Sequence, residues 1–274
     1  MAKKKLLFVA DKIPPYLPAD DATLLKGQLP QKMSQNGFEV RTFMPKFGLV
    51  NERRNQLHEV IRLSGMNIPI NDNDHPLIIK VASLQPARIQ VYFIDNDDYF
   101  LKNDDDADAQ GSNRADNDER MLFFARGASE TVRKLRWDTD IAHISGWMSA
   151  LLPLYMREVF ASEPAYCKGK IVYSVMPGEI TGGIDEKIFE KLAADGVPAV
   201  ALEQFAGMPF DTELIHKIAI RYADAVIFHG ENPNGRLVEY AQSLGIPVCG
   251  SADLEGDGTG TEVAEFYKSL IPEE

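Results

Sequence analysis

Apolar and polar positions along this chain fall into two alternating patterns. Short, nearly continuous apolar runs are separated by stretches in which apolar residues recur at helical spacing. The short runs predict strands at Lys5–Ala10, Phe38–Met44, Ile78–Leu84, Ile89–Ile94, Ile141–Ile144, Lys170–Val175, Ala199–Ala201, Ala225–His229 and Pro247–Cys249. Helical periodicity predicts helices over Thr23–Asn36, Asp118–Leu135, Ser149–Glu158, Glu186–Ala194, Thr212–Tyr222, Gly235–Leu244 and Glu262–Leu270. Asn36-Gly37 and Ser243-Leu244-Gly245 supply the glycine with which helices commonly end. Such a succession marks βαβ units and a mostly parallel sheet. The expected fold is therefore α/β: a single Rossmann-like, doubly wound, mostly parallel sheet with helices on both faces.

Two segments depart from that rhythm. Ile78–Leu84 and Ile89–Ile94 read as a small β-hairpin excursion turning at Gln85-Pro86, antiparallel beside the parallel core. Asn103–Asn117, with Asp104, Asp105, Asp106, Asp108 and Gly111, reads as a solvated, mobile loop. There is no internal repeat and no linker with a second core beyond it, so residues 1–274 read as one domain.

Composition narrows the function. At 274 residues and 45% hydrophobic the chain can bury a large core. A net charge of −12 repels a phosphate backbone, which argues against nucleic acid and anionic membrane surfaces as partners; neutral carbohydrate is compatible with it. The apolar run after the N-terminal lysines stops at Ala10, before Asp11 and Lys12, and reads as a first strand rather than a signal peptide. No apolar run approaches the roughly 20 residues of a membrane span. Cys167 and Cys249 cannot make a disulfide framework or a four-ligand zinc site. A cytoplasmic protein with reduced thiols is expected.

In doubly wound sheets, ligands bind at the carboxyl ends of the strands. The first βα turn, Asp11 to Thr23, is placed there but contains no glycine and carries Asp11, Asp20 and Asp21. A pyrophosphate could not approach its backbone, so neither a dinucleotide nor any other cofactor is expected. The residues that fall at strand ends or in aromatic positions near them, and so are candidates to face a ligand, are Asp11, Tyr16, Tyr99, His143, Ser145, Trp147, Ser174, Glu179 and His229. Each has a plainer reading. A strand-end histidine such as His143 is more often hydrogen-bonded inside a core. Trp147 either stacks on a sugar or, more commonly, wedges the next helix onto the sheet. His229, with Glu231 nearby, is either a polar pair or a surface histidine. Thr181-Gly182-Gly183 is a glycine-rich loop able to admit a ligand closely, but no lysine or P-loop frame accompanies it. There is no G-x-S-x-G elbow, and neither cysteine has a neighbouring base. Counted from Asp106, position twelve of a calcium loop is Asn117 where a bidentate glutamate is needed, so no metal site is expected.

The most specific stretch is Val91–Glu158. It reads VYFIDNDDYF, then DNDERMLFFARGASETVRKLRWDTDIAHISGWMSALLPLYMRE. In word order it resembles the N-terminal domain of bacterial glycogen synthases and plant starch synthases, hexosyltransferases that move glucose from ADP-glucose onto an α-1,4-glucan. Gly37–Gly48 and the first strand carry the same resemblance. It implies one half of a GT-B glycosyltransferase, with the donor-binding domain missing because the chain ends where that domain would begin. It also implies specific losses. The phosphate-loop lysine position falls on Leu17 or Pro18, the catalytic-loop histidines on Ser145 and Met148, and the aspartate between them on Gly146; His143 and Trp147 match. A later histidine–asparagine pair is replaced within Val172–Gly178. The expectation is a glycogen/starch synthase-like protein, non-catalytic by itself, that binds glucan or sugar or regulates. Its expected partners are such a glucan or a full-length synthase, with assembly into a homo-oligomer left open. The alternatives are a glucosyltransferase completed in trans by a second subunit and an unrelated small-molecule enzyme at the same crevice.

Overall fold

The computed structural model describes residues 3–17, 28–101, 110–178 and 180–271. Its strands are β1 (Lys5–Ala10), β2 (Glu39–Pro45), β3 (His58–Glu59), β4 (Met66–Ile70), β5 (Asn73–Leu84), β6 (Ile89–Asp95), β7 (Ile141–Ser145), β8 (Lys170–Val175), β9 (Ala225–Phe228) and β10 (Val248–Gly250). The sheet order is β10-β9-β8-β7-β1-β2-β6-β5-β3, with β4 paired to β5 off this path. From β10 to β6 every pairing is parallel. β5 then runs antiparallel to β6, and β3 and β4 run antiparallel to β5. The chain winds outward from β1 in both directions, so the strand order reverses between β1 and β7. That is where a doubly wound sheet leaves a crevice at its carboxyl edge.

Leu6 through Ala10 are all buried. Successive strand side chains point to opposite faces, so both faces of β1 are covered, which is why the strand reads as an unbroken apolar run. The helices are α1 (Leu29–Gln35), α2 (Asn117–Leu135), α3 (Leu152–Leu154, continued by a wide turn over Tyr155–Val159), α4 (Ile188–Ala194), α5 (Ala199–Glu203), α6 (Thr212–Arg221), α7 (Gly235–Ser243) and α8 (Thr261–Leu270). α1 lies on β2, α2 on β6, α6 on β8 and α7 on β10.

The expected βαβ succession is present, with differences that have physical causes. Ala199–Ala201, expected as a strand, is the start of α5. Its buried residues Ala201 and Leu202, with Val197 and Phe205 flanking the helix, recur at helical spacing, and Val200 between them is 71% exposed. A short apolar run does not distinguish the two states; the period does. The hairpin exists with Leu84 opposite Ile89, but β5 is longer than expected and carries β4 on its other edge. In β4, Ile68 and Ile70 are buried and Met66 on the same face is partly buried, and Pro69 between the isoleucines obscured the alternation. Of Thr23–Asn36, residues 23–27 lie outside the described set, and α1 accounts for the rest.

The expected loop 103–117 is also corrected where it is described. Residues 102–109 lie outside the described set, but Gln110 and Gly111 are anchored by Arg120, a guanidinium only 1% exposed. Its Nη2 donates to Gln110 O at 2.6 Å, its Nη1 to Gly111 O at 3.0 Å and to Asn117 Oδ1 at 2.6 Å, and its Nε to Tyr99 O at 2.9 Å. A buried arginine is tolerated only with its donors satisfied. Here the carbonyls of Gln110, Gly111 and Tyr99 and the side-chain oxygen of Asn117 satisfy them, and Asn117 begins α2.

Candidate functional site

The carboxyl ends of β1 and β7 form a narrow crevice of about 50 Å³ lined by Asp11, Lys12, Gln110, Ser145, Gly146 and Trp147, among others. Asp11 dominates it. Its carboxylate accepts from Gln110 Nε2 at 3.0 Å, the Met148 amide at 3.3 Å and Ser149 Oγ at 3.4 Å. Burial nevertheless pushes its pKa up to about 7, because desolvation of the charged form outweighs those bonds and the nearby Lys12. Gly146 closes over the carboxyl with φ +88°, and a Cβ there would sit 2.1 Å from Asp11 Oδ2. Only glycine takes that conformation at that distance. Leu17 and Met148 are 2% and 0% exposed and belong to the core.

Next to this crevice, at the carboxyl ends of β8 and β9, lies a hollow of about 450 Å³. Its apolar walls include Val175, Phe228 and Leu237; its polar lining includes His216, His229, Thr212 and Asn232. The N-terminal ends of α6 and α7 border it, their first turns capped from within: Asp211 accepts from the Leu214 amide at 3.1 Å and Asn234 from the Arg236 amide at 3.0 Å. Glu213 is held by Lys217 at 2.7 Å and Arg236 at 2.8 Å.

Two imidazole–hydroxyl systems support the hollow from opposite faces of β8. On one face Ser174 Oγ lies 2.8 Å from His143 Nε2 and 2.9 Å from His229 Nε2, and His143 Nδ1 bonds the Tyr267 hydroxyl of α8. One proton per bond satisfies this chain with all donors pointing either way. On the other face the Tyr173 hydroxyl lies 2.7 Å from His216 Nδ1 of α6. Burial drives His143 down to about 3, with His229 adding to the effect, and His216 down to about 4. Both are neutral rings near pH 7, fixed hydrogen-bonding groups rather than charges.

The sequence candidates thus separate. Asp11, Ser145 and Trp147 line the crevice, and His229 lines the hollow. His143 and Ser174 do not reach open space: they are 1% and 0% exposed and hold His229 from behind. Tyr99 is buried away from both sites, donating to Glu119 Oε2 at 3.2 Å and bonded to His75 Nε2 at 3.1 Å. Tyr16 packs edge-on to Phe93 and borders a separate depression with Leu49, Asn51 and Arg54. Glu179 lies outside the described residues. In Thr181-Gly182-Gly183 it is protein that Gly182 admits: a Cβ on it would lie 2.1 Å from Arg114 O, and its amide donates to Ser112 O at 2.8 Å, whereas Gly183 has nothing within 4 Å of its Cβ position. His216 was missed because a histidine inside a helical pattern carries no signal of the strand it faces. Among the described residues no three His, Cys, Asp or Glu side chains converge as metal ligands, and no helix is long and apolar enough to cross a membrane.

A doubly wound sheet with its crevice and hollow at one carboxyl edge is the architecture of a Rossmann-like α/β domain of the kind that forms half of a GT-B glycosyltransferase. The model of the starch synthase catalytic domain matches residues 5–230, and the chain belongs to that family. It is similar to the glycogen synthases of Chlorobaculum parvum (32% identical over 225 residues, 81% of this chain and 45% of that protein) and Chlorobium limicola (30% over 239 residues, 84% and 49%). The chain spans about half the length of the curated relatives it matches. In fold it is similar to the catalytic domain of starch synthase IV from Arabidopsis thaliana bound to ADP and acarbose, with a TM-score of 0.65 at 15% identity, covering 98% of this chain and 50% of that one.

Proposed function

We propose that this chain binds a glucan or a related oligosaccharide in the hollow at the ends of β8 and β9 and does not by itself transfer glucose. One observation carries the reading. The space at the sheet's carboxyl edge is concentrated where apolar walls stand beside the hydrogen-bonding groups His216, His229, Thr212 and Asn232, with Asp211, Glu213 and Arg236 at the N-terminal ends of α6 and α7. A sugar offers that combination in reverse, hydroxyls around apolar C–H faces. By contrast, the crevice at β1 and β7 is small, and among its lining residues Lys12 is the one cation, set against the Asp11 carboxyl. Transfer from a nucleotide sugar needs preorganised positive charge at the departing diphosphate. The relatives named glycogen synthase, and the starch synthase structure holding acarbose, are consistent with an oligosaccharide ligand.

The test is calorimetric titration of the purified chain with ADP-glucose and with a malto-oligosaccharide in parallel, alongside an assay for labelled glucose incorporation. Saturable oligosaccharide binding without incorporation is the expected result. Elongation of a glucan primer by the chain alone would overturn the non-catalytic reading, and absence of oligosaccharide binding would overturn the binding one. Incorporation only after adding a two-domain synthase would favour completion in trans.

A further inference from the structure

The opposite edge of the sheet carries a second hollow, of about 410 Å³, at the amino ends of β8 and β9. It is lined by Arg157, Lys168, Lys170 and Arg221, by the carboxylates Glu158 and Asp224, and by Tyr222 and Cys167. Four cations against two carboxylates leave a local charge of +2 on a chain whose net charge is −12.

Three of the cations, Arg157, Lys170 and Arg221, are held in place. Asp224 Oδ2 accepts from Arg157 Nη2 at 2.6 Å and from the Ile171 amide at 2.8 Å, and its Oδ1 accepts from Lys170 Nζ at 3.1 Å. Arg157 is further fixed by Gly169 O at 3.1 Å. One carboxylate thus sets a guanidinium and an ammonium side by side and neutralises only one of them. Arg221 is steadied through its Nε by the neutral Gln204 Oε1 at 2.7 Å. Lys168 is exposed. Helix carboxyl ends attract cations, which accounts for Arg221 at the end of α6. It does not account for Lys168 and Lys170, which lie on the loop and strand entering the same hollow.

We propose that this hollow is a binding site for a small phosphorylated ligand, separate from the carboxyl-edge site. Forked guanidinium groups recognise phosphate oxygens through paired, charge-assisted hydrogen bonds. The hollow is a shallow, open depression whose volume of about 410 Å³ suits a small ligand. Half-buried Tyr222 supplies a wall against which the uncharged part of a phosphate ester can rest.

The test is titration of the full chain with inorganic phosphate, pyrophosphate and ADP. Comparison uses the double variant Lys168→Gln/Arg221→Gln, whose altered side chains are exposed, and His229→Ala. The expected result is saturable binding of at least one anion, weakened about tenfold or more in the double variant, as loss of two charge-assisted contacts implies, and unaltered by His229→Ala. In unaltered protein the bound anion should also slow modification of exposed Cys167 by a thiol reagent, with half-buried Cys249 as internal reference. No saturable binding of any of the three anions would overturn the proposal, as would binding that the double variant leaves intact. Loss of binding in His229→Ala instead would assign the anion to the carboxyl-edge hollow and overturn it equally.

Discussion

The crevice at β1 and β7 and the hollow at β8 and β9 hold equivalent places in the fold, both at carboxyl ends of adjacent parallel strands. The first is closed by a buried carboxyl under a glycine, with Met148 and Leu17 turned into the core. The second is kept open by α6 and α7, and its imidazoles are braced from both faces of β8. Topology names the edge at which a ligand can bind; the side chains decide which stretch of that edge is a site.

The comparison is most exposed at Asp11. Its carboxyl ionises near pH 3.8 when unperturbed and near pH 7 in the fold, so between those values the fold retains a proton that the unfolded chain gives up. Its ionisation therefore costs stability as pH rises from about 4 to about 7, on the order of 4 kcal/mol, with no further loss above. Urea melts across that range should show Asp11→Asn gaining on the native chain as pH rises. His143 and His216 slope the other way, since folded values of about 3 and 4 against 6.5 remove stability on acidification, but both proteins contain them and they cancel in the difference. A pH-independent difference would mean that the crevice is wet and the contrast with the hollow false.

Next in size, Gly146→Ala should lose about 3 kcal/mol or more, combining left-handed strain with overlap on Asp11. Gly178→Ala, beside the hollow with φ +126° and nothing within 4 Å of its Cβ, should lose only about 1–2 kcal/mol. Equal losses in thermal or denaturant unfolding would erase the distinction between a closed and an open site.

A smaller effect is expected in binding. His229→Ala should weaken a malto-oligosaccharide about tenfold, the worth of one or two hydrogen bonds, whereas Ser145→Ala in the crevice should leave its affinity unchanged. The reverse pattern in calorimetry would move the site to β1 and β7. Last, Tyr267→Phe should cost about 1–2 kcal/mol by leaving His143 Nδ1 without its partner. No change in melting would show that α8 does not brace the hollow.

Much of this fold was legible in residue order. The parallel strands, the hairpin at Leu84 and Ile89, and the helices from α2 onward other than α5 follow from local periodicity, and the words of Val91–Glu158 pointed to the family. α5 was misread because five residues are too few to display a period. The candidate site was legible in part: His229, Asp11 and Trp147 lie where a strand-end rule puts them, and His216 does not.

Hydrophobic spacing along the chain determined most of the strands and helices, and that the central strands are buried on both faces, because each of those properties is set within a few neighbouring residues. The tertiary structure alone decided that Arg120 anchors Gln110 and Gly111, that His143 is locked behind Ser174, and that open space lies at β8 and β9. Those outcomes depend on desolvation and on hydrogen bonds between groups far apart in the chain, such as His143 and Tyr267, and no local pattern encodes them.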